Sequence, residues 1–372
     1  MKRFLICAIT AIVCSASVNA AGPFSGKFNT ADVKAACDTA IHWQMLNYKK
    51  PNKKAQVDWV CGALYIGMYK WAELNDDKAI FDFLTDIGNK NDWSLINTRP
   101  YHADNICTGQ MYLKMFEKEG KEQMAQATKD RAYYIANHPN TAPLDKTDPI
   151  GKDCRWSWCD ALFMAPPVYA TLYRLTGEQC YLDYMDSEFK CCADSLYDKD
   201  EKLFYRDIVR IPHREPNGAK EFWGRGNGWV FGGLPLIMEN LPVGHPSRAY
   251  YEQIFKEMAS AILKCQGKDG SWRASLLAAE NYPDPENSSS TFFCYGFAWG
   301  INNGLLDPKV YRKPLEKGWK AIVGHIHEDG MLGNVQQIGA APVKGVAYDS
   351  TQAYGYGSLL LAGTEITKLL AK

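Results

Sequence analysis

The chain has 372 residues, 46% hydrophobic and 13% aromatic, enough to bury a substantial core as one large domain or two ordinary ones. Its 42 basic residues balance 42 acidic ones, which excludes a nucleic acid or an anionic membrane held by a long-range field. Any ligand has to be recognised by local contacts.

Residues 1–20 carry the pattern of a secretory leader, with Lys2 and Arg3, the apolar run Phe4–Val13, and small residues ending in Val18-Asn19-Ala20. Without those two cations the mature chain has 42 − 2 = 40 basic against 42 acidic residues, still near neutrality. Export across the inner membrane to the periplasm follows, and no later apolar run is long enough to span a bilayer. Lipidation at Cys14 is the weaker reading, because Ala11-Ile12-Val13 lacks the small residues expected before such a cysteine.

Beyond the leader the periodicity predicts helix after helix. The spans are Ala31–Tyr48, Asp58–Leu74, Lys78–Gly88, Ala103–Gly120, Glu122–Asn137, Ser157–Thr176, Gln179–Leu196, Gly228–Asn240, Arg248–Gln266, Thr291–Asn303, Pro308–Gly324 and Ser350–Leu369. They alternate in kind. Every second one is rich in Gly, Ala and aromatics on all sides, as in CGALYIGMYKWAE or TFFCYGFAWGINNG, whereas its predecessor has one wet face. Six all-round apolar helices inside six amphipathic ones describe an all-α fold, an (α/α)6 barrel, as a single domain over residues 28–372. Asp58, Asp104, Asp160, Arg225, Ser290 and Gln352 stand at the N-terminal ends of the inner helices and are expected to share one rim. The Asp-Gly turns at 269–270 and 329–330 predict small hairpins between helices.

Of twelve cysteines two fall in the leader, and the others show no paired CxxC spacing. They read mostly as small buried apolar residues, with one or two disulfides open in an oxidising compartment. His325 and His327, two apart on a helix, point to different sides and do not argue for a metal. No metal or organic cofactor is called for.

Three segments carry polar groups without an obvious structural purpose. In WSWCDALF, Asp160 is either a helix cap, which would favour its ionised form, or a carboxyl desolvated by Trp156 and Trp158, which would raise its pKa toward neutrality. In RPYHAD, Asp104 is either a first-turn acid complementing the helix dipole or, paired with Asp160, a second carboxylate of the kind glycoside chemistry uses. In FWGRGNGW, Trp223, Arg225 and Trp229 alternate with glycines, a composition that suits a sugar acid: indoles stack on a ring and a guanidinium takes a carboxylate. The bland alternative is a Gly-rich loop with its aromatics in the core. A phosphate loop is excluded, since the lysine and the preceding strand are missing. In DGSWRASLL, Arg273 reads as the structural partner of a nearby acid.

Together HADNICTG, WCDALFMAPPVYATLYRLTGE, LFYRD, FWGRGNGW, DGSWRASLL, FAWGINNGLLD and GNVQQIGAAP resemble glycoside hydrolase family 105, the unsaturated rhamnogalacturonyl hydrolases, and more distantly the unsaturated glucuronyl hydrolases of family 88. The resemblance covers nearly all of the mature chain. It implies an (α/α)6 barrel that removes a Δ4,5-unsaturated uronic acid from the non-reducing end of lyase-generated oligosaccharides by hydration of the C4=C5 bond. By the same resemblance Asp160 is the general acid and then base, and Asp104 orients and modulates it. Arg225 and Trp229 hold the uronate, and Trp223, Arg206, His102 and Trp158 complete the substrate site. The chain departs from better-known members ahead of Asp160, where they carry a histidine and further basic residues and this one has Lys152, Asp153, Cys154 and Arg155. That departure bears on the substrate and leaves rhamnogalacturonan, arabinogalactan and ulvan-type fragments open. Two other readings compete: an ordinary glycosidase using Asp104 and Asp160 as its acid/base pair, and a non-catalytic periplasmic carbohydrate-binding protein.

Overall fold

The computed structural model describes residues 23–49, 52–144 and 154–372, so the leader, Cys14, Lys152 and Asp153 lie outside the described residues. Among the described residues twelve helices build the barrel. The odd-numbered ones are outer: α1 Thr30–Leu46, α3 Lys78–Lys90, α5 Gln126–Asn137, α7 Gln179–Leu196, α9 Pro246–Lys264 and α11 Pro308–Val323. The even-numbered ones are inner: α2 Trp59–Asn75, α4 Gly109–Glu119, α6 Pro166–Thr176, α8 Gly224–Met238, α10 Asn287–Asn302 and α12 Ala353–Leu370. Each inner helix packs on the next, and α12 returns to α2, which closes the ring.

Burial follows the predicted alternation. Every residue of α8 is buried, whereas α3 buries only Ile80, Phe81, Leu84, Ile87 and Gly88. The ring closes tightly where α2 and α12 cross. A Cβ on Gly67 would lie 2.1 Å from the carbonyl oxygen of Gly357, and one on Gly357 equally close to that of Ala63. No larger residue fits there without moving a helix backbone. Gly67→Ala is therefore expected to cost about 2 to 3 kcal/mol of stability, read as a lower denaturant midpoint. An unchanged midpoint would mean that the two backbones do not approach this closely.

The predicted helices end or break where local chemistry intervenes. The expected Ala103–Gly120 helix is a 3₁₀ turn, Ala103–Ile106, followed by α4, since the Thr108 hydroxyl donates to the Val57 carbonyl (3.0 Å) rather than capping its own helix. The expected Ser157–Thr176 helix is a short turn, Ala161–Met164, followed by α6, because Pro166 and Pro167 lack the N–H groups that would continue it. Helix α8 starts four residues earlier than predicted and takes the GRGNG run into its first turns. Its glycines serve close packing: a Cβ on Gly224 would lie 2.6 Å from the Arg273 carbonyl oxygen.

Strand is scarce. Tyr197–Asp198 and Leu203–Phe204 pair antiparallel, Tyr197 opposite Phe204. The turn at Asp329-Gly330 closes a one-bridge hairpin, Ile326 opposite Leu332, while that at Asp269-Gly270 is held by single backbone bonds. None of the ten described cysteines forms a disulfide. Arg273 pairs with Asp269 at 2.8 Å, as its structural reading requires. His327 stacks on Tyr348 with ring centres 3.9 Å apart. Among the described residues no helix is long and apolar enough to cross a membrane.

Candidate active site

Each connection from an outer helix to the following inner one lies at the same end of the barrel, so the segments around 47–58, 91–108, 197–223, 265–286 and 324–352 form one rim with the turn that carries Asp160. The inner-helix N-termini open onto it.

Asp160 has helical φ and ψ (−60° and −30°), yet its side chain makes no capping bond. The Cys159 thiol donates to its Oδ2 at 3.6 Å. Two contacts hold Asp160 beside the LFYRD segment: the Cys159 N–H donates to the Arg206 carbonyl at 2.8 Å, and Arg206 Nε lies 3.4 Å from Asp160 Oδ2. The Arg206 Nη1 meanwhile pairs with Asp207 at 2.7 Å. Asp160 is only 8% exposed. Burial pushes its carboxyl up to about 7, against the opposing pull of the Arg225 charge.

Asp104 follows His102 in the 3₁₀ turn. Its N–H donates to His102 Nδ1 at 3.3 Å, and its Oδ2 lies 3.7 Å from the same nitrogen. The imidazole lies against Trp158 with ring centres 4.7 Å apart. Burial raises the Asp104 carboxyl to about 7, and the Asp160 charge adds to the effect; Arg206 and Arg99 oppose it, and Asp58 reinforces it. The Asp160 charge thus acts on Asp104, while Asp160 itself is set by its burial, by Arg225 and by Asp207. Asp58 itself caps α2, accepting from the Cys61 N–H at 3.1 Å.

The glycine-rich motif forms the buried first turns of α8. Arg225 is 1% exposed. Its Nη1 and Nη2 donate to the carbonyls of Gln336 (2.7 Å) and Gln337 (3.0 Å), and its guanidinium lies 4.4 Å from the Trp223 ring centre and 5.0 Å from that of Tyr354. Trp223 is buried and donates from Nε1 to the Gln336 side chain at 3.1 Å. Trp229 is fully buried among Phe163, Phe292, Tyr354 and Trp59. Neither indole presents an open face, so the stacking platform expected of them is a correction. Both support the rim from beneath.

The half-buried aromatic above them is Trp59, which none of the sequence motifs singles out; it stacks on Tyr354 at 5.6 Å and 14°. Its one signal is position, one residue after a rim acid at the start of an inner helix. Three buried N–H groups at this rim have no hydrogen-bond partner among the described residues: Arg206 Nε, Arg225 Nε and Trp229 Nε1. Arg155, by contrast, is spent on structure, bonding Glu188 through Nε at 2.8 and 2.9 Å.

Two acids, one buried and one half-buried, stand with Arg206 at the inner-helix N-terminal rim of an (α/α)6 barrel. The model of Glycosyl Hydrolase Family 88 matches residues 34–370, and the chain belongs to that family and is a glycoside hydrolase. It is 36% identical over 348 residues to the unsaturated 3S-rhamnoglycuronyl hydrolase of Alteromonas sp., covering 88% of this chain and 84% of that one. It is 38% identical over 350 residues to the enzyme of the same name from Formosa agariphila, covering 92% of each. A solved family 88 glycosyl hydrolase from Bacteroides vulgatus superposes with a TM-score of 0.82 at 27% identity, over 92% of this chain and all of that one.

Proposed function

We propose that this hydrolase removes a Δ4,5-unsaturated uronic acid from the non-reducing end of lyase-generated oligosaccharides, with Asp160 as proton donor. The observation that carries the reading is an uncapped, buried Asp160 carboxyl that holds its proton up to about pH 7 beside guanidinium groups. A retaining or inverting glycosidase needs one of its two carboxyls ionised as nucleophile or base. Here both acids are pushed toward the protonated form, which suits a route that begins with proton donation alone.

Asp160 gives its proton to C4 of the enol ether, and the C4=C5 electrons form the new C–H bond, leaving an oxocarbenium at C5 and the ring oxygen. Water adds at C5 and returns a proton to the Asp160 carboxylate. The resulting hemiketal opens by breaking the C5–O bond; the C1 hemiacetal thereby exposed releases the next sugar, and the acid is regenerated. Asp104, on the His102 turn, is the second carboxyl, kept toward its protonated form by burial and by the Asp160 charge, and its role is to modulate the donor. Arg225 has five N–H groups and spends two on carbonyls, so the others, with Arg206, remain to take the uronate carboxylate. Half-buried Trp59 supplies the flat wall. The rhamnoglycuronyl relatives favour a uronate linked to rhamnose as the fragment consumed. The leader composition fits an exported, periplasmic enzyme that meets such fragments.

The test is loss of ultraviolet absorbance of the unsaturated uronate on incubation with lyase digests of several uronic-acid polymers. Activity on a rhamnose-containing digest is expected, and no loss on any digest would remove the reading. The proton donor also dictates a pH profile. Because Asp160 must be protonated, kcat/KM should fall roughly tenfold per unit as pH rises beyond about 7. A profile flat through that range would assign the proton to another group.

A further inference from the structure

We infer that the Cys159 thiol is a positioning residue for the proton donor: with Arg206 it occupies Oδ2 of Asp160, so that the transferred proton is carried on Oδ1. The inference rests on the reading of Asp160 as the acid of an unsaturated-uronyl hydrolase.

Two side-chain donors converge on one oxygen. Cys159 Sγ donates to Asp160 Oδ2 at 3.6 Å, and Arg206 Nε stands 3.4 Å from the same atom. The two are tied to each other, since the Cys159 N–H donates to the Arg206 carbonyl at 2.8 Å. Cys159 is fully buried, and a Cβ on Gly226 of α8 would lie 3.1 Å from its sulfur. The thiol is thus seated between the acid and the first turns of α8, where a glycine makes room for it.

Donor chemistry then places the proton. A guanidinium offers hydrogens and accepts none. A carboxyl hydrogen on Oδ2 would face the Arg206 N–H and the Cys159 S–H together, so the acid form carries it on Oδ1. When that proton passes to C4, the O–H electron pair stays on the carboxylate and the two donors meet the new charge; water later returns a proton to Oδ1. A thiol is a weak donor, but this one remains a donor. Burial, and after it the Asp160 charge, push its pKa well up, so it keeps its hydrogen and is excluded as a nucleophile.

Burial raises the Asp160 pKa, and Arg225 and the Cys159 thiol pull it back by favouring the carboxylate. The other charged or titratable groups that face Asp160 are Arg206 and Asp207 ahead of α8, Cys192 on α7, Arg225 on α8, Tyr354 on α12 and Asp104 on the 3₁₀ turn. All of them remain in a variant at position 159.

The test is the pH profile of kcat/KM on an unsaturated uronide in the wild type, Cys159→Ala and Cys159→Ser. Without the thiol the carboxylate is less favoured, so the alkaline limb of Cys159→Ala should move up by about half a unit. The hydroxyl of Cys159→Ser still donates and should hold the limb at or below its wild-type position. An alanine limb that stays in place overturns the inference. So does one that moves down, the sign expected if the lost sulfur only admits water and eases burial. A serine limb displaced upward together with that of alanine would assign the shift to packing, and overturns it as well.

Melting temperature separates this inference from the hydrolase reading, because it needs no turnover. The folded pKa of Asp160 lies above the unfolded one, so stability is lost as pH rises through the folded value. Removing the donor raises that value further. The fall in melting temperature between pH 4 and pH 8 should therefore be larger in Cys159→Ala than in the wild type, and no larger in Cys159→Ser. Should the wild type consume no unsaturated sugar, the hydrolase reading fails, and the melting series still decides whether the thiol favours the carboxylate. Equal falls in all three proteins overturn it.

Discussion

Asp160→Asn is expected to lower turnover by roughly a thousandfold or more while making the protein more stable above neutral pH. The first effect follows from removing the proton that reaches C4. The second follows from burial. In the unfolded chain an aspartic acid titrates near about 3.9, whereas in the fold burial holds Asp160 up to about 7. Between these values the folded state binds more protons than the unfolded one, so stability falls as pH rises through the window and the full cost is present above it. A rise of that size corresponds to at most about 4 kcal/mol. Asparagine has the same shape and no charge to bury. Its melting temperature should exceed that of the wild type at pH 8 and match it near pH 4. A variant that retains near wild-type turnover would remove Asp160 from the chemistry, and one with no pH-dependent gain would show that burial does not hold the proton.

Arg225→Ala is expected to cost about 3–5 kcal/mol of stability and to raise KM for the uronate. The guanidinium is enclosed by Trp223 and Tyr354 and holds the Gln336–Gln337 segment by two carbonyls. Its removal leaves a cavity and strips the Gln337 carbonyl of that bond, while the Gln336 carbonyl keeps the Tyr354 hydroxyl. Arg225→Lys should fall between the two, since an ammonium keeps the charge but cannot span both carbonyls in a planar fork. Urea unfolding separates the structural part from the KM effect. A loss below about 1 kcal/mol with KM unchanged would deny Arg225 both roles.

The fold was legible because an inner helix touches neighbours on every side and an outer one on a single face, and that difference is written in composition. CGALYIGMYKWAE and the wet-faced KAIFDFLTDIGNK state their layers without reference to any other part of the chain. Helix ends were less legible where proline or a long-range side-chain bond decided them. Pro166 was visible in the sequence, but the Thr108 hydroxyl bonding Val57 was not, because its partner lies 51 residues away.

The site divides in the same way. Asp160 and Asp104 announced themselves as acids next to aromatics at helix starts, and the chain's neutrality already required local recognition. The sequence could not say whether Asp160 was a cap or a proton donor, since that depends on whether nearby N–H groups face its carboxyl. The packed rim removes the cap reading: Asp160 makes no capping bond, and Arg206, 46 positions away, stands beside it. Nor could FWGRGNGW reveal that its indoles lie under the rim. Exposure is a property of what covers a residue, and the cover for Trp229 comes from Trp59, Phe163, Phe292 and Tyr354, on four other segments of the chain. Composition and periodicity by themselves determined the layers, the closed ring and the chemical type of the site. Tertiary structure alone decided how far each acid is desolvated and which aromatic faces are covered, because desolvation and distance are set by residues far apart in sequence.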